Sequence, residues 1–216
     1  MKAAPYIDLH THKRTNSEGV FELLNIVVGR DDFALALPFT AGIHPGYISH
    51  SDTQFASLYN YATHGMALAI GECGLDKICS EEWTKQERVF LMQLELANQL
   101  EKPIIVHCVR AYQEVLNLLK STNQKIVFHG FNKHVNLAKQ ILDHGHYLSL
   151  GADILRGHMD EAIKSLPLDK IFLETDGKAV SIIDIYTYFC TARKISLSEF
   201  REQLSENFEQ VFKYKL

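Results

Sequence analysis

The sequence of 216 residues contains no long hydrophobic run, and no stretch approaches the roughly 18 consecutive apolar residues that a membrane-spanning helix needs. Its first ten residues, MKAAPYIDLH, include no apolar run of signal-peptide length. The four cysteines are scattered without CxxC spacing, and a chain of this size does not depend on disulfides for its stability. We therefore expect a reduced, cytoplasmic protein that does not bind membranes and has no obligate protein partner.

An excess of basic residues is also absent. The formal net charge is −4 and the isoelectric point is about 6.2, which argues against a broad basic face that grips long duplex DNA. A nucleic-acid contact would instead be local, at a site that neutralises one or two phosphates. Because no repeat, linker or low-complexity segment divides the chain, we predict a single domain over residues 1–216.

Short apolar runs alternate with helical patterns along most of the chain. The runs, which predict eight strands, are residues 5–9, 21–28, 39–43, 66–70, 103–106, 125–128, 147–150 and 170–173. The helical patterns are residues 81–100, 111–119, 134–142, 159–166, 182–193 and a segment after the capping box of Ser196 and Glu199. This order predicts an α/β fold, a TIM-like (β/α)8 barrel, with an open parallel sheet as the alternative. The short gaps in the first third predict reduced or missing outer helices there.

Histidines and carboxylates recur where the predicted strands end. The members of this set are His10, His12, Glu72, His107, His129 and Asp176. The carboxyl ends of parallel strands meet at one mouth of a barrel, which is the usual place of its active site. Imidazole with carboxylate suits Zn²⁺, Mn²⁺, Fe²⁺ or Ni²⁺ better than an all-oxygen Ca²⁺ cage. Six ligands exceed one tetrahedral zinc site and suit two divalent ions that share a carboxylate.

Six motifs in this order resemble the TatD family of metal-dependent deoxyribonucleases, which belongs to the amidohydrolase-like barrels. The resemblance covers nearly the whole chain and rests on Asp8-Leu9-His10-Thr11-His12, Gly42-Ile43-His44-Pro45, Gly71-Glu72-Cys73-Gly74-Leu75-Asp76, Lys102-Pro103-Ile104-Ile105-Val106-His107, Val127-Phe128-His129-Gly130-Phe131 and Leu173-Glu174-Thr175-Asp176. It implies a barrel and a hydrolase that uses divalent metals (Zn, Mn, Mg, Fe or Ni) on DNA or another phosphodiester substrate.

The resemblance also implies a role for each residue. His10 and His12 would hold one metal together with Asp176, and His107 and His129 would hold a second one. Glu72 would bridge the two metals and take part in catalysis. A metal-bridged hydroxide would attack phosphorus, with Asp176 as the base.

The chain departs from the family pattern at residues that would grip the substrate. Val109 stands where the family usually carries an arginine, and Gly177-Lys178 follows the last motif in place of a small residue and proline. Arg110 and Lys178 are therefore candidate phosphate contacts, and the resemblance implies that His44 lies near the mouth as another.

The leading hypothesis is a deoxyribonuclease or phosphodiesterase that acts on an end or a single strand. Related barrels hydrolyse esters, amides or lactones with the same type of ligands, so a small-molecule hydrolase is the alternative. A barrel that binds a metal or a partner without turnover is a third hypothesis, of another class.

Overall fold

The computed structural model describes residues 3–31 and 36–216. Its strands are β1 (Tyr6–Thr11), β2 (Val20–Val27), β3 (Phe39–Gly42), β4 (Ala67–Asp76), β5 (Ile104–Val109), β6 (Ile126–Phe128), β7 (Tyr147–Leu150) and β8 (Ile171–Leu173). Its helices are α1 (Ser51–Ala62), α2 (Trp83–Gln99), α3 (Tyr112–Leu118), α4 (Val135–Asp143), α5 (Asp160–Ser165), α6 (Ile182–Arg193) and α7 (Leu197–Phe212). None of the helices within the described ranges is both long and apolar enough to cross a membrane.

The strands follow chain order in one eight-stranded sheet, and the strand pairs β1–β2, β3–β4, β4–β5, β5–β6 and β7–β8 are parallel. The first strand also contacts the segment after the last one, because the backbone N–H of Asp176 donates to the carbonyl of His10 at 2.9 Å. That contact is typical of a barrel and not of an open sheet. The predicted fold class, a TIM-like (β/α)8 barrel, is confirmed.

The chain forms two compact units. Unit 1 consists of Met1–Leu24 with His129–Leu216, and unit 2 consists of Asn25–Phe128. The predicted single domain over residues 1–216 stays a prediction.

Aromatic side chains of the last two helices form much of the core of unit 1. Phe189 of α6 stacks on Phe200 of α7 with ring centroids 4.4 Å apart. The buried Tyr186 of α6 ties this layer to β1, since its hydroxyl accepts from the backbone N–H of Ile7 at 3.0 Å. Helix α7 is capped by Ser196, whose hydroxyl accepts from the backbone N–H of Glu199 at 3.2 Å, and this confirms the predicted N-cap.

The core of unit 2 consists of strands that are apolar on both faces and of the helix α2. Ile104 and Ile105 of β5 are fully buried, as expected for a parallel strand covered by helices. Phe90 and Leu94 of α2 lie on one stripe and are buried. The carboxylate of Glu82 caps this helix and accepts from the first free backbone N–H groups.

The first third of the chain partly matches its prediction. Residues 12–19, which connect β1 to β2, contain no helix, as the short gap indicated. The connection from β2 to β3 includes residues 32–35, which lie outside the described residues. Helix α1 was not predicted, because its buried side chains at Gln54, Leu58 and Ala62 form a narrow and partly polar stripe.

Buried amide side chains hold the irregular ends of strands in unit 2. The fully buried Gln93 of α2 accepts from the backbone N–H of Ile43 at 2.7 Å and donates to its carbonyl at 3.0 Å. These two bonds satisfy the backbone N–H and the carbonyl of Ile43, directly after β3. They also place the residue that follows, His44.

We expect Gln93→Ala to lower the free energy of unfolding by about 2–4 kcal/mol, because a buried donor and a buried acceptor of Ile43 lose their partner. Urea denaturation measures the change. The matched control is Gln99→Ala, an exposed glutamine of the same helix. Equal stability of the two variants would contradict the role assigned to Gln93.

Candidate metal sites

One group of possible metal ligands lies in unit 1. It consists of His10, which is buried at the end of β1, His12, which follows that strand, and Asp176, which follows β8. Oδ1 of Asp176 lies 3.8 Å from Nε2 of His10 and 3.6 Å from Nε2 of His12. Asp176 adopts a φ of 55°, a left-handed conformation that aspartate tolerates better than most residues. The structure thus brings together three residues that the sequence analysis assigned to the first ion.

Asp8 connects the two segments that carry this group. Its carboxylate accepts from the backbone N–H of Thr175 at 2.8 Å and from the Thr175 hydroxyl at 2.6 Å. Burial raises the pKa of Asp8 to about 7, although the two bonds from Thr175 oppose the shift. The side chain of Asp8 therefore helps to hold β1 against the segment in which Asp176 lies.

His129 and Glu174 lie beside this group in the same unit. The rings of His129 and His10 are 4.3 Å apart. Oε1 of the fully buried Glu174 lies 3.3 Å from Nδ1 of His129 and accepts from the backbone N–H of Gly130 at 2.7 Å. Of the two acids after the last strand, Glu174 and Asp176, only Asp176 was predicted as a ligand, although a carboxylate directly after an apolar strand was a usable signal for Glu174 as well.

A second group of possible ligands lies in unit 2. Oε1 of Glu72 is 2.8 Å from Nδ1 of His107 and 3.4 Å from Nε2 of His44. The rings of the two histidines are 4.3 Å apart. Strand β4 continues to Asp76, so Glu72 lies within the strand and not at its end, where the apolar pattern had placed it.

Asn25 of β2 holds Glu72 in place. Its side-chain oxygen accepts from the backbone N–H of Glu72 at 2.7 Å, and its amide donates to Oε2 of Glu72 at 3.4 Å. The hydroxyl of Thr40 donates to the same side-chain oxygen at 3.0 Å. The contact of Asn25 with Glu72 was not predicted, although a lone amide inside the apolar run of β2 was a signal for such a role.

The last residue of β4, Asp76, lies on the other side of His107. Its Oδ2 is 3.3 Å from Nε2 of His107. Burial tends to raise the pKa of Asp76, but the bonds from His107 and from the backbone N–H of Ile78 outweigh burial and hold that pKa below its ordinary value. The imidazole of His107 therefore lies between two carboxylates.

Both groups fit a divalent cation. In each of them, one ligand atom per residue lies within 4.8 Å of the others, and atoms that share an ion at about 2.0–2.2 Å each must lie close together in this way. Imidazole with carboxylate is the ligand set of Zn²⁺, Mn²⁺, Fe²⁺ and Ni²⁺ sites. The predicted pairing of His107 with His129, and the predicted bridging by Glu72, join residues of different units and stay predictions.

Of the two basic candidate phosphate contacts, Lys178 lies near the first group. Nζ of Lys178 is 4.0 Å from Oδ2 of Asp176, and its side chain is half exposed. Arg110 directly follows β5 and is exposed. Unit 1 also contains a cavity of about 360 Å³ whose lining includes sequence neighbours of the first group, among them Asp8, Thr11, Lys13, Glu22, Thr175 and Lys178.

Three comparisons relate the chain to known proteins. The sequence model of the family described as TatD related DNase matches residues 23–213. An uncharacterized metal-dependent hydrolase of Buchnera aphidicola subsp. Baizongia pistaciae is 27% identical over an alignment of 218 positions. The alignment covers 92% of this chain and 81% of that protein. The human 3'-5' RNA nuclease TATDN2 is 31% identical over 147 residues, which cover 63% of this chain and 19% of that protein.

A solved structure shares the fold. The crystal structure of YjjV, a TatD homolog from Escherichia coli, aligns with a TM-score of 0.82 at 22% identity and covers 97% of this chain and 98% of that chain.

We expect His12→Ala to remove about one metal ion per chain, because the substitution takes one of three ligands from the group in unit 1. Elemental analysis after dialysis against Zn²⁺ or Mn²⁺ measures the content. The control is His158→Ala, an exposed histidine of the same unit. The same metal content in both variants would show that His12 is not a ligand.

Proposed function

The chain belongs to the family of TatD-related DNases, and we propose that it is a divalent-metal-dependent phosphodiesterase that cleaves DNA at an end or in a single strand. Members of this family are metal-dependent hydrolases, and the human relative is named as a nuclease. The observation that carries the proposal is the presence in each unit of two histidines and a carboxylate whose ligand atoms lie within 4.8 Å of one another.

We assign one ion to each group. His10, His12 and Asp176 would hold the first ion, and Glu72 with His107 would hold the second, beside His44. The chemistry that a bound divalent cation supplies is Lewis acidity, which polarises a phosphoryl oxygen and makes water more acidic.

Asp176 suits the transfer of a proton better than Glu72 does. The side chain of Asp176 is 30% exposed, whereas that of Glu72 is 5% exposed. A general base must reach the water whose proton it takes, so exposure favours Asp176. Oδ2 of Asp176 also lies toward the ammonium of Lys178, a position from which Lys178 can contact a phosphate of the substrate.

Two lysines close in sequence to the first group can contact a short phosphodiester substrate. Lys13 and Lys178 line the cavity in unit 1 together with the acids Asp8 and Glu22 and the hydroxyl groups of Thr11 and Thr175. Two ammonium groups can meet one or two phosphates. The net charge of −4 gives the protein no broad basic face for long duplex DNA, which favours the trimming of ends or of single strands.

We expect Asp176→Asn to lower kcat/KM on a labelled single-stranded oligonucleotide by at least about 100-fold with Mn²⁺, because the variant lacks the base. The control Asp143→Asn alters an exposed aspartate of unit 1 and should retain the activity. Chelation should abolish the activity of the wild type, and added Mn²⁺ should restore it.

Glu72→Gln tests the second group in the same assay. Unchanged activity in both Asp176→Asn and Glu72→Gln would rule out the assigned sites. Turnover of a carboxylic ester, amide or lactone in place of the oligonucleotide would favour a small-molecule hydrolase. Bound metal without turnover of any of these substrates would favour a non-catalytic barrel.

A further inference from the structure

Asp76 is a buried carboxylate with no part in the function proposed above. It ends β4, it is 8% exposed, and its Oδ2 lies 3.3 Å from Nε2 of His107. The opposite nitrogen of that ring, Nδ1, lies 2.8 Å from Oε1 of Glu72. The two carboxylates therefore face the two different nitrogens of one imidazole.

The surrounding backbone holds Asp76 independently of His107. Its Oδ1 accepts from the backbone N–H of Ile78 at 2.8 Å. The buried Gln86 of α2 accepts from the backbone N–H of Asp76 at 2.9 Å and donates to its carbonyl at 3.1 Å. Because both ends of the residue are held, the carboxylate presents Oδ2 to the ring in a defined direction.

A neutral imidazole carries one proton, and an ionised carboxylate only accepts hydrogen bonds. When Nε2 of His107 donates to Asp76, the lone pair of Nδ1 points toward Glu72. Two acceptor atoms 2.8 Å apart repel each other unless a cation lies beside both of them. The nitrogen whose N–H donates to Asp76 thus decides which nitrogen is left for a metal ion.

We infer that Asp76 is a positioning residue that keeps the proton of His107 on Nε2, so that Nδ1 is the nitrogen presented to the divalent ion beside Glu72. The inference rests on the proposed metal site in unit 2. Metal-binding histidines commonly donate their other N–H to a carboxylate, which fixes the ring and its tautomer.

A purely local role for Asp76 predicts something different. The bond from Ile78 to Oδ1 closes a tight turn after β4, and an asparagine can accept that bond equally well. Lys77 is paired with Glu114, so the adjacent ammonium is engaged elsewhere. Asp76→Asn therefore keeps the turn, but it turns an NH₂ group toward Nε2 of His107.

The test is to locate the proton of His107 by long-range ¹H–¹⁵N NMR, at a pH where the ring is neutral, in metal-free and Zn²⁺-loaded full-length protein. The signals are assigned with His107→Gln. We expect Nε2–H in the Zn²⁺-loaded wild type, where the cation lies beside Nδ1 and Glu72, and we expect the metal-free Asp76→Asn variant to carry the proton on Nδ1. Calorimetry should show Zn²⁺ binding that is about 10–100-fold weaker in Asp76→Asn.

The matched control is Glu114→Gln, an acid of α3 that pairs with Lys77. It should keep both the Nε2–H tautomer and the wild-type affinity. Nδ1–H in the Zn²⁺-loaded wild type would overturn the inference, as would an unchanged Zn²⁺ affinity of Asp76→Asn. If Zn²⁺ leaves the His107 signals of the wild type unchanged, the metal site in unit 2 fails and the inference fails with it. Changed wild-type signals together with an unchanged affinity of Asp76→Asn would instead show a failure of Asp76 alone.

Discussion

A carboxylate that is removed from water must meet hydrogen-bond donors or a cation, since burying it alone costs several kcal/mol. Both units meet this requirement at Asp8, Glu72 and Glu174, which are each 4% exposed or less. Thr175 donates twice to Asp8, Gly130 donates to Glu174, and Asn25 contacts Glu72. These bonds leave imidazoles beside the acids, and the candidate metal sites follow from that arrangement.

The helices contribute to the sites by holding backbone where the regular strands stop. In unit 2, the side-chain amides of Gln93 and Gln86 each form hydrogen bonds with the N–H and the carbonyl of one residue after or at the end of a strand. These hydrogen bonds of Gln93 and Gln86 help to position His44 and Asp76, respectively. The strand β3 ends before His44, so its register alone would not fix that residue.

Much of the fold could be predicted from the sequence, because its pattern is local. Helix α6 has the predicted bounds, residues 182–193. The N-cap at Ser196 was predicted from the capping box that Ser196 forms with Glu199. The end of β4 was predicted too early, because Glu72 and the glycines beside it interrupt the apolar pattern. The strand itself continues to Asp76. Helix α1 was not predicted from the sequence because a glutamine, Gln54, lies on its buried face and weakens the apolar pattern.

The sequence by itself determined the class of fold and the types of ligand, because an apolar run that ends in histidine or carboxylate is visible without coordinates. Only the tertiary structure decided which groups meet. It placed His44 beside Glu72, His129 beside Glu174, and Asp76 behind His107. The residues of each pair are separated by 28 to 45 positions, and distances of that kind depend on strand register, side-chain rotamers and buried amides, which no local pattern encodes.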